Sequence, residues 1–169
     1  MTIQMNDNVE LGQIKVSNNR ATVYEVENIG TSVAVVVYDM VSKVGGVAHI
    51  VLPESSLAPP SANADDAVGR YADLAIPALL HDFSAIGGQK RNAVVRMVGG
   101  AQLFNFGGGG GNILNIGARN ATAIQAALAS EGLAIDKADT GGNKAKGVRL
   151  VLLTGQLFVS QIGGEEYML

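Results

Sequence analysis

The segment 29–53, IGTSVAVVVYDMVSKVGGVAHIVLP, constrains the fold more than any other part of the chain. Its run from Ser32 to Tyr38 is apolar on both sides, which is typical of a strand covered on both faces. A second apolar strand is predicted from Gly46 to Leu52, and the proline that follows ends it because proline lacks a backbone donor. The Gly45-Gly46 pair is interpreted as the turn between the two strands. The segment therefore predicts a buried antiparallel pair with a serine opening one strand and His49 towards the end of the other.

The rest of the sequence predicts further short strands and two helices. A helix is expected over about 66–86, where apolar residues recur at helical spacing, and Pro77 should kink it or delay its start. A second helix is expected over about 117–131. These elements predict an α+β fold, a layered α/β sandwich of mostly antiparallel strands with two main helices. The other expected strands cover 13–16, 21–26, 93–98, 133–137, 148–153 and 156–161.

Composition bounds the class of protein. With 169 residues, 47% of them apolar, the chain fits one domain over 1–169, with loose tails expected at 1–10 and 163–169. A net charge of −3 and no basic cluster longer than Lys90-Arg91 argue against a nucleic-acid surface or a polybasic membrane anchor. The absence of cysteine excludes disulfides and a thiol nucleophile. With no signal-peptide pattern or long apolar run, we expect a soluble, cytoplasmic protein without membrane insertion.

A series of motifs, in order along nearly the whole chain, resembles the CheD family of chemoreceptor glutamine deamidases. The first is Gly30-Thr31-Ser32 ahead of VAVVVYD, and the second is GGVAHIVLP, which contains His49. The later motifs are RYAD at 70–73, AIPALL at 75–80, GGA at 99–101 with Phe104, NIGARN at 115–120 and DTGGN at 139–143.

The resemblance implies a cytoplasmic protein-glutamine amidohydrolase of chemotaxis. Such a protein converts selected glutamines of methyl-accepting chemotaxis receptors to glutamates, releases ammonia and needs no cofactor. The resemblance also implies a CheC-like response-regulator phosphatase as a partner, and an α/β sandwich shared with some deamidating toxins. The family's catalytic cysteine falls on Ser32, and its catalytic histidine falls on His49.

Ser32 and His49 also have plainer interpretations. A serine in a turn more often makes a local hydrogen bond, and a histidine on an apolar strand is more often part of the core. The resemblance favours the catalytic assignment for both. A hydroxyl is a weaker nucleophile than a thiolate, so we expect strongly reduced or absent turnover in a retained binding pocket.

A second departure concerns the threonine that normally completes the family's site. Counting back from Ser32 without gaps places it on Val26, and Thr22 matches only after realignment. A laboratory replacement of cysteine would explain Ser32 alone, whereas loss of both residues suggests a naturally degenerate site. The alternative function is therefore a non-catalytic chemotaxis adaptor that binds receptors or a CheC-like phosphatase.

Other candidate binding residues are Thr31, Phe104, Arg119 and Asn120. Arg119 and Asn120 could line the cleft, but capping of the second helix is the stronger interpretation. Phe104 is a candidate partner contact if it is exposed. The glycine run Gly107–Gly111 lacks the Lys-Ser/Thr of a phosphate-binding loop, which leaves nucleotide binding as a remote alternative. No Asp, Glu and His cluster has metal-ligand spacing, so no metal is predicted.

The hairpin also allows a geometric prediction. A turn centred on about residues 40–44 would place Ser32 opposite position 50, one residue away from His49. A bulge at Gly45 or Gly46 would correct that offset. We therefore expect the hydroxyl and the imidazole within hydrogen-bonding reach or one water apart, in a partly open groove.

Overall fold

The computed structural model describes residues 3–60, 68–103 and 115–169. Within these ranges the chain forms ten strands and two α-helices, α1 (Ala72–Ala85) and α2 (Ile116–Ser130). The strands are β1 (Met5–Asn8), β2 (Ile14–Ser17), β3 (Thr22–Ile29), β4 (Val33–Asp39), β5 (Val44–Ile50), β6 (Ala93–Gly99), β7 (Lys137–Thr140), β8 (Lys146–Val151), β9 (Gln156–Gln161) and β10 (Tyr167–Met168).

The strands form two five-stranded sheets. The first sheet has the order β1-β3-β8-β9-β10, and the second has the order β2-β5-β4-β6-β7. Pairing in the described chain is antiparallel except between β1 and β3 and between β6 and β7. The predicted α+β layered sandwich with two main helices is confirmed.

Two cores hold the layers together, and β4 contributes to both. Val33, Val35 and Val37 pack with the buried faces of α1 and α2. The alternate residues Ala34 and Val36 pack against β3, β8 and β9 of the first sheet. Every residue of β4 is buried, which confirms that this strand is covered on both faces. β4 therefore lies between the two helices and the first sheet.

The glycine pair does not form the predicted turn. Gly45 and Gly46 lie inside β5, and the connection runs through Met40–Lys43. The Asp39 carboxylate accepts hydrogen bonds from two backbone amides of this connection and shapes the turn. A Cβ at Gly46 would lie 2.7 Å from a Val16 methyl carbon, so the glycine permits close packing of β2 against β5.

Other boundaries also differ from expectation. α1 begins at Ala72 rather than near position 66, and Pro77 lies inside it. The strand expected over 133–137 is found at Lys137–Thr140 instead. The end segments, expected to be loose tails, contribute β1 and β10 to the first sheet.

Candidate active site

Ser32 and His49 meet at the end of the β4–β5 pair. Val33 pairs with Ile50, and Ala34 pairs with His49. Because side chains alternate along a strand, Ser32 shares the face of Ala34 and is the diagonal neighbour of His49. Ser32 Oγ lies 2.7 Å from His49 Nε2, within the expected hydrogen-bonding reach.

The register that produces this contact is simpler than expected. The ladder runs without a shift from the Asp39–Val44 pair to the Val33–Ile50 pair, so the expected bulge at Gly45 or Gly46 is wrong. Continued by one residue, the same register places Ser32 opposite position 51 rather than 50. A separation of two residues preserves the face, which is why the contact forms without a bulge.

The Ser32–His49 pair is buried rather than placed in a partly open groove. Ser32 is 5% exposed and His49 is 1% exposed. Leu103 covers the adjoining turn, since a Cβ at Gly30 would lie only 2.6 Å from its Cδ1. Burial lowers the pKa of His49 from about 6.5 to about 4, because the low-dielectric interior disfavours the imidazolium. At neutral pH the imidazole is therefore uncharged and can accept the hydroxyl proton.

The other ring nitrogen of His49, Nδ1, has no hydrogen-bond partner among the described residues. The backbone carbonyl of Val9 raises the pKa of His49 by less than burial lowers it. We regard this carbonyl as an electrostatic neighbour, because Nδ1 lacks a partner at hydrogen-bonding geometry. A catalytic histidine normally has its second nitrogen fixed by an acceptor. Among the described residues, no group supplies such an acceptor to His49 Nδ1.

Neither candidate for the completing threonine supplies the acceptor. Thr22 Oγ1 lies 3.1 Å from Ser17 Oγ, its side-chain partner in the described chain. Val26 is fully buried in the core between the sheets, together with Val9. A valine side chain offers no acceptor to an imidazole.

Asn120 on α2 connects the two strands near this pair. It is fully buried, and its Nδ2 donates to the carbonyl oxygens of Thr31 and Val51, each at 2.9 Å. Thr31 thus contributes its backbone rather than its side chain to this contact. Sequence reasoning had favoured helix capping for Asn120. That interpretation is wrong, because Asn120 lies in the second turn of the helix.

The cap of α2 is Asn115. Its Oδ1 accepts a hydrogen bond from the backbone amide of Ala118 at 3.2 Å. The signal for this role was an asparagine directly ahead of the helix, which sequence reasoning did not use. Arg119 does not cap the helix. It lines a surface groove with Pro53 and Glu54, and that groove's described lining includes neither member of the Ser–His pair.

Comparison with known proteins identifies the family of this chain. The family model described as CheD chemotactic sensory transduction matches residues 51–161. A chemoreceptor glutamine deamidase CheD of Thermotoga maritima is 33% identical over 160 residues, covering 95% of this chain and 94% of the relative. The chain belongs to the CheD family. A probable chemoreceptor glutamine deamidase CheD of Clostridium kluyveri is 38% identical over 118 residues, 70% of each chain.

The sequence similarity to CheD proteins also covers the region that follows the strands carrying the Ser–His pair. The family model begins at Val51, just after His49, and it includes both helices and Asn120. A probable CheD 1 of Syntrophus aciditrophicus, 33% identical, matches over 92% of this chain. The candidate site therefore belongs to a chain that is similar to CheD proteins over nearly its whole length.

Two sequence features discussed above lie outside the described residues of this CheD-family chain. Phe104 and the run Gly107–Gly111 fall in the segment 104–114, which is not described. Among the described residues, no three His, Cys, Asp or Glu side chains are grouped to hold a metal ion. No helix in the described part of the chain is long and apolar enough to cross a membrane.

Proposed function

We propose that this chain is a CheD-type protein of chemotaxis whose Ser32–His49 pair forms a site for hydrolysing glutamine side-chain amides. The observation that carries the proposal is the 2.7 Å contact between Ser32 Oγ and His49 Nε2. A hydroxyl beside an uncharged imidazole is the arrangement that acyl transfer requires. The proposed substrates are glutamines of cytoplasmic receptor segments, in line with the names of the relatives.

The reaction is written in two halves. His49 Nε2 takes the hydroxyl proton while Ser32 Oγ bonds to the amide carbon, and the negative charge moves to the carbonyl oxygen. When this intermediate collapses, the carbon–nitrogen bond breaks, and the imidazolium returns the proton to the leaving nitrogen as ammonia departs. Water then attacks the acyl ester with His49 as base. Hydrolysis leaves glutamate and the free hydroxyl.

Two features of the site argue for slow turnover. Serine needs nearly complete removal of its proton in the transition state, whereas a thiol is already a few per cent ionised at neutral pH. A base with a pKa of about 4 is poorly matched to that demand, because general bases work best with a pKa near the working pH. We therefore infer that the chain retains the geometry of the reaction with strongly reduced activity.

The test is glutamine-to-glutamate conversion of a receptor cytoplasmic fragment, followed by peptide mass spectrometry. The unaltered chain, Ser32→Cys, and Ser32→Cys combined with His49→Gln are compared. We expect conversion by Ser32→Cys to exceed that of the unaltered chain by about 100-fold or more, the scale of a catalytic group. The His49→Gln combination should lose this gain. Absence of conversion by every variant would contradict the catalytic proposal.

The second candidate function is a non-catalytic adaptor that retains the substrate groove and uses it to bind receptors or a CheC-like phosphatase. It is favoured by one observation, the unpartnered His49 Nδ1 in a core where Val26 supplies no acceptor. Titration calorimetry with a receptor fragment and with a CheC-like phosphatase separates the candidates. Binding without conversion, in both the unaltered chain and Ser32→Cys, supports the adaptor. Failure to bind either partner removes it.

A further inference from the structure

One buried side chain spans the strand ends that carry the Ser–His pair. The Asn120 carboxamide uses both N–H groups, one on the carbonyl of Thr31 and one on the carbonyl of Val51. Thr31 directly precedes Ser32, and Val51 is two residues beyond His49. A carboxamide has just two donors, so the Nδ2 group is fully used.

The position of these carbonyls is informative because the β4–β5 ladder ends just before them. The last pair of that ladder is Val33 with Ile50, and Ser32 lies outside it. On the β6 side, the amide of Gly100 donates to the carbonyl of Ser32 at 2.8 Å. On the β5 side, Asn120 joins the backbones where strand pairing has stopped. The nucleophile position is therefore held on one side by main chain and on the other by this side chain.

A close contact between α2 and the end of β6 allows the Asn120 side chain to lie fully buried between helix and strands. A Cβ at Gly117 would lie 2.4 Å from the carbonyl oxygen of Gly100, so α2 approaches the end of β6 as only glycine allows. Asn120 is three residues further along α2 and therefore lies on the same side of the helix. Any larger residue at position 117 must move the helix and withdraw the carboxamide from its two acceptors.

We propose that Asn120 is a positioning residue that keeps Ser32 and His49 at hydrogen-bonding distance, an inference that rests on the proposed function of this pair. It does not touch the reacting atoms. It acts by fixing the two backbone segments from which the hydroxyl and the imidazole project. Loss of its hydrogen bonds would leave two partly buried carbonyls without these donors and would release the end of the hairpin.

The test uses a thiol introduced at the nucleophile position. Because the sequence has no cysteine, Ser32→Cys carries the only thiol, and its alkylation by iodoacetamide reports that position alone. A free cysteine ionises with a pKa of about 8.5; burial raises this value, whereas a neighbouring imidazole that can take the thiol proton lowers it. The midpoint of the alkylation rate against pH therefore measures the coupling of the thiol to His49. Mass spectrometry follows the reaction, and circular dichroism confirms that each variant is folded.

We expect the Ser32→Cys midpoint to lie below that of Ser32→Cys combined with His49→Gln, because only the former keeps the imidazole that can take the thiol proton. Adding Asn120→Ala to Ser32→Cys should raise the midpoint of the alkylation rate by at least about half a pH unit. Gly117→Ala provides a second variant that keeps the carboxamide but displaces the helix, and it should shift the midpoint in the same direction.

Asn115→Ala is the matched control for a general loosening of α2. It removes the helix cap but leaves the Asn120 contacts in place. Its midpoint should equal that of Ser32→Cys alone. An equal shift in the Asn115 and Asn120 variants would overturn the positioning role, as would no shift with Asn120→Ala.

The outcomes also separate this inference from the proposed function. If His49→Gln leaves the midpoint unchanged, the pair is not coupled, and both the positioning role and the catalytic pair are overturned. If the midpoints behave as expected but Ser32→Cys converts no receptor glutamine, the positioning role stands and the proposed reaction fails.

Discussion

The buried imidazole of His49 should make the stability of this protein depend on pH in a defined window. Its pKa is lowered from about 6.5 to about 4 by burial, so between these values the unfolded chain binds a proton that the folded chain does not. Stability therefore rises with pH across the window. The contribution of the uncharged His49 is fully present above about pH 6.5 and is lost as the pH falls towards 4.

The magnitude follows from the same two values. One pKa unit corresponds to about 1.4 kcal/mol, so the difference between about 6.5 and about 4 corresponds to about 3 kcal/mol. For a domain of this size, that is a substantial part of a typical unfolding free energy of about 5–15 kcal/mol. The effect should thus be measurable by equilibrium denaturation. Carboxylates add their own pH dependence, so a comparison of variants is needed.

The assay is urea denaturation at several pH values from 4 to 7, followed by far-ultraviolet circular dichroism because the chain has no tryptophan. His49→Gln removes the titrating group and should flatten the profile by about 3 kcal/mol over this range. His81→Gln is the matched control for replacing a histidine, since the His81 side chain is 83% exposed. Parallel profiles for the unaltered chain and His49→Gln would refute the argument that His49 is buried without its proton.

Two further predictions test particular contacts. Val26→Thr tests whether a hydroxyl in the core that holds Val26 and Val9 supplies the acceptor that His49 Nδ1 lacks, in which case an imidazole NMR titration should show the pKa of His49 above about 4. Gly155→Ala and Gly132→Ala both place alanine at a φ of +77°, but only at position 155 would the Cβ lie 2.3 Å from the Tyr38 ring. Denaturation should therefore show Gly155→Ala to be less stable than Gly132→Ala by about 1–3 kcal/mol, and equal losses would contradict the packing argument.

The burial of β4 and its pairing with β5 were predictable from sequence, whereas the place of the turn was not. An apolar run without alternation requires cover on both faces, and that requirement is met. The Gly45-Gly46 pair indicated a turn because glycine is common in turns. In the structure these glycines let neighbouring layers approach, and the polar Asp39 shapes the turn. Glycine is required in both situations, so residue type alone does not distinguish them.

The strand assigned to 133–137 shows a similar limit. Leu133 and Ile135 are apolar because they pack against the core beneath the helices, although they lie outside any strand. The strand itself, Lys137–Thr140, is polar and mostly exposed, because it forms the edge of the second sheet and pairs only with β6 in the described chain. Hydrophobic patterning reports burial, and an edge strand is stabilised mainly by backbone pairing.

The Ser–His contact was predictable within about one residue of register, because the pleat and the hairpin fix which side chains share a face. The role of Asn120 was not predictable in this way. Its acceptors are backbone carbonyls that lie 89 and 69 residues away in sequence. An asparagine near a helix start is also the residue type preferred for capping. Only the packing of α2 on the strands assigns capping to Asn115 and bridging to Asn120.

We propose that the residues at positions 32 and 26 act on different halves of the same proton transfer. Serine at position 32 sets the acidity of the nucleophile, whereas a threonine at position 26 is the proposed source of the acceptor that His49 Nδ1 lacks. If the first change alone limits the reaction, Ser32→Cys should recover conversion and Val26→Thr should add little. If the base also limits it, the double variant should exceed the product of the two single effects, because both groups share one transition state. Such non-additivity would favour a site that has degenerated at both positions over one replaced at the nucleophile alone.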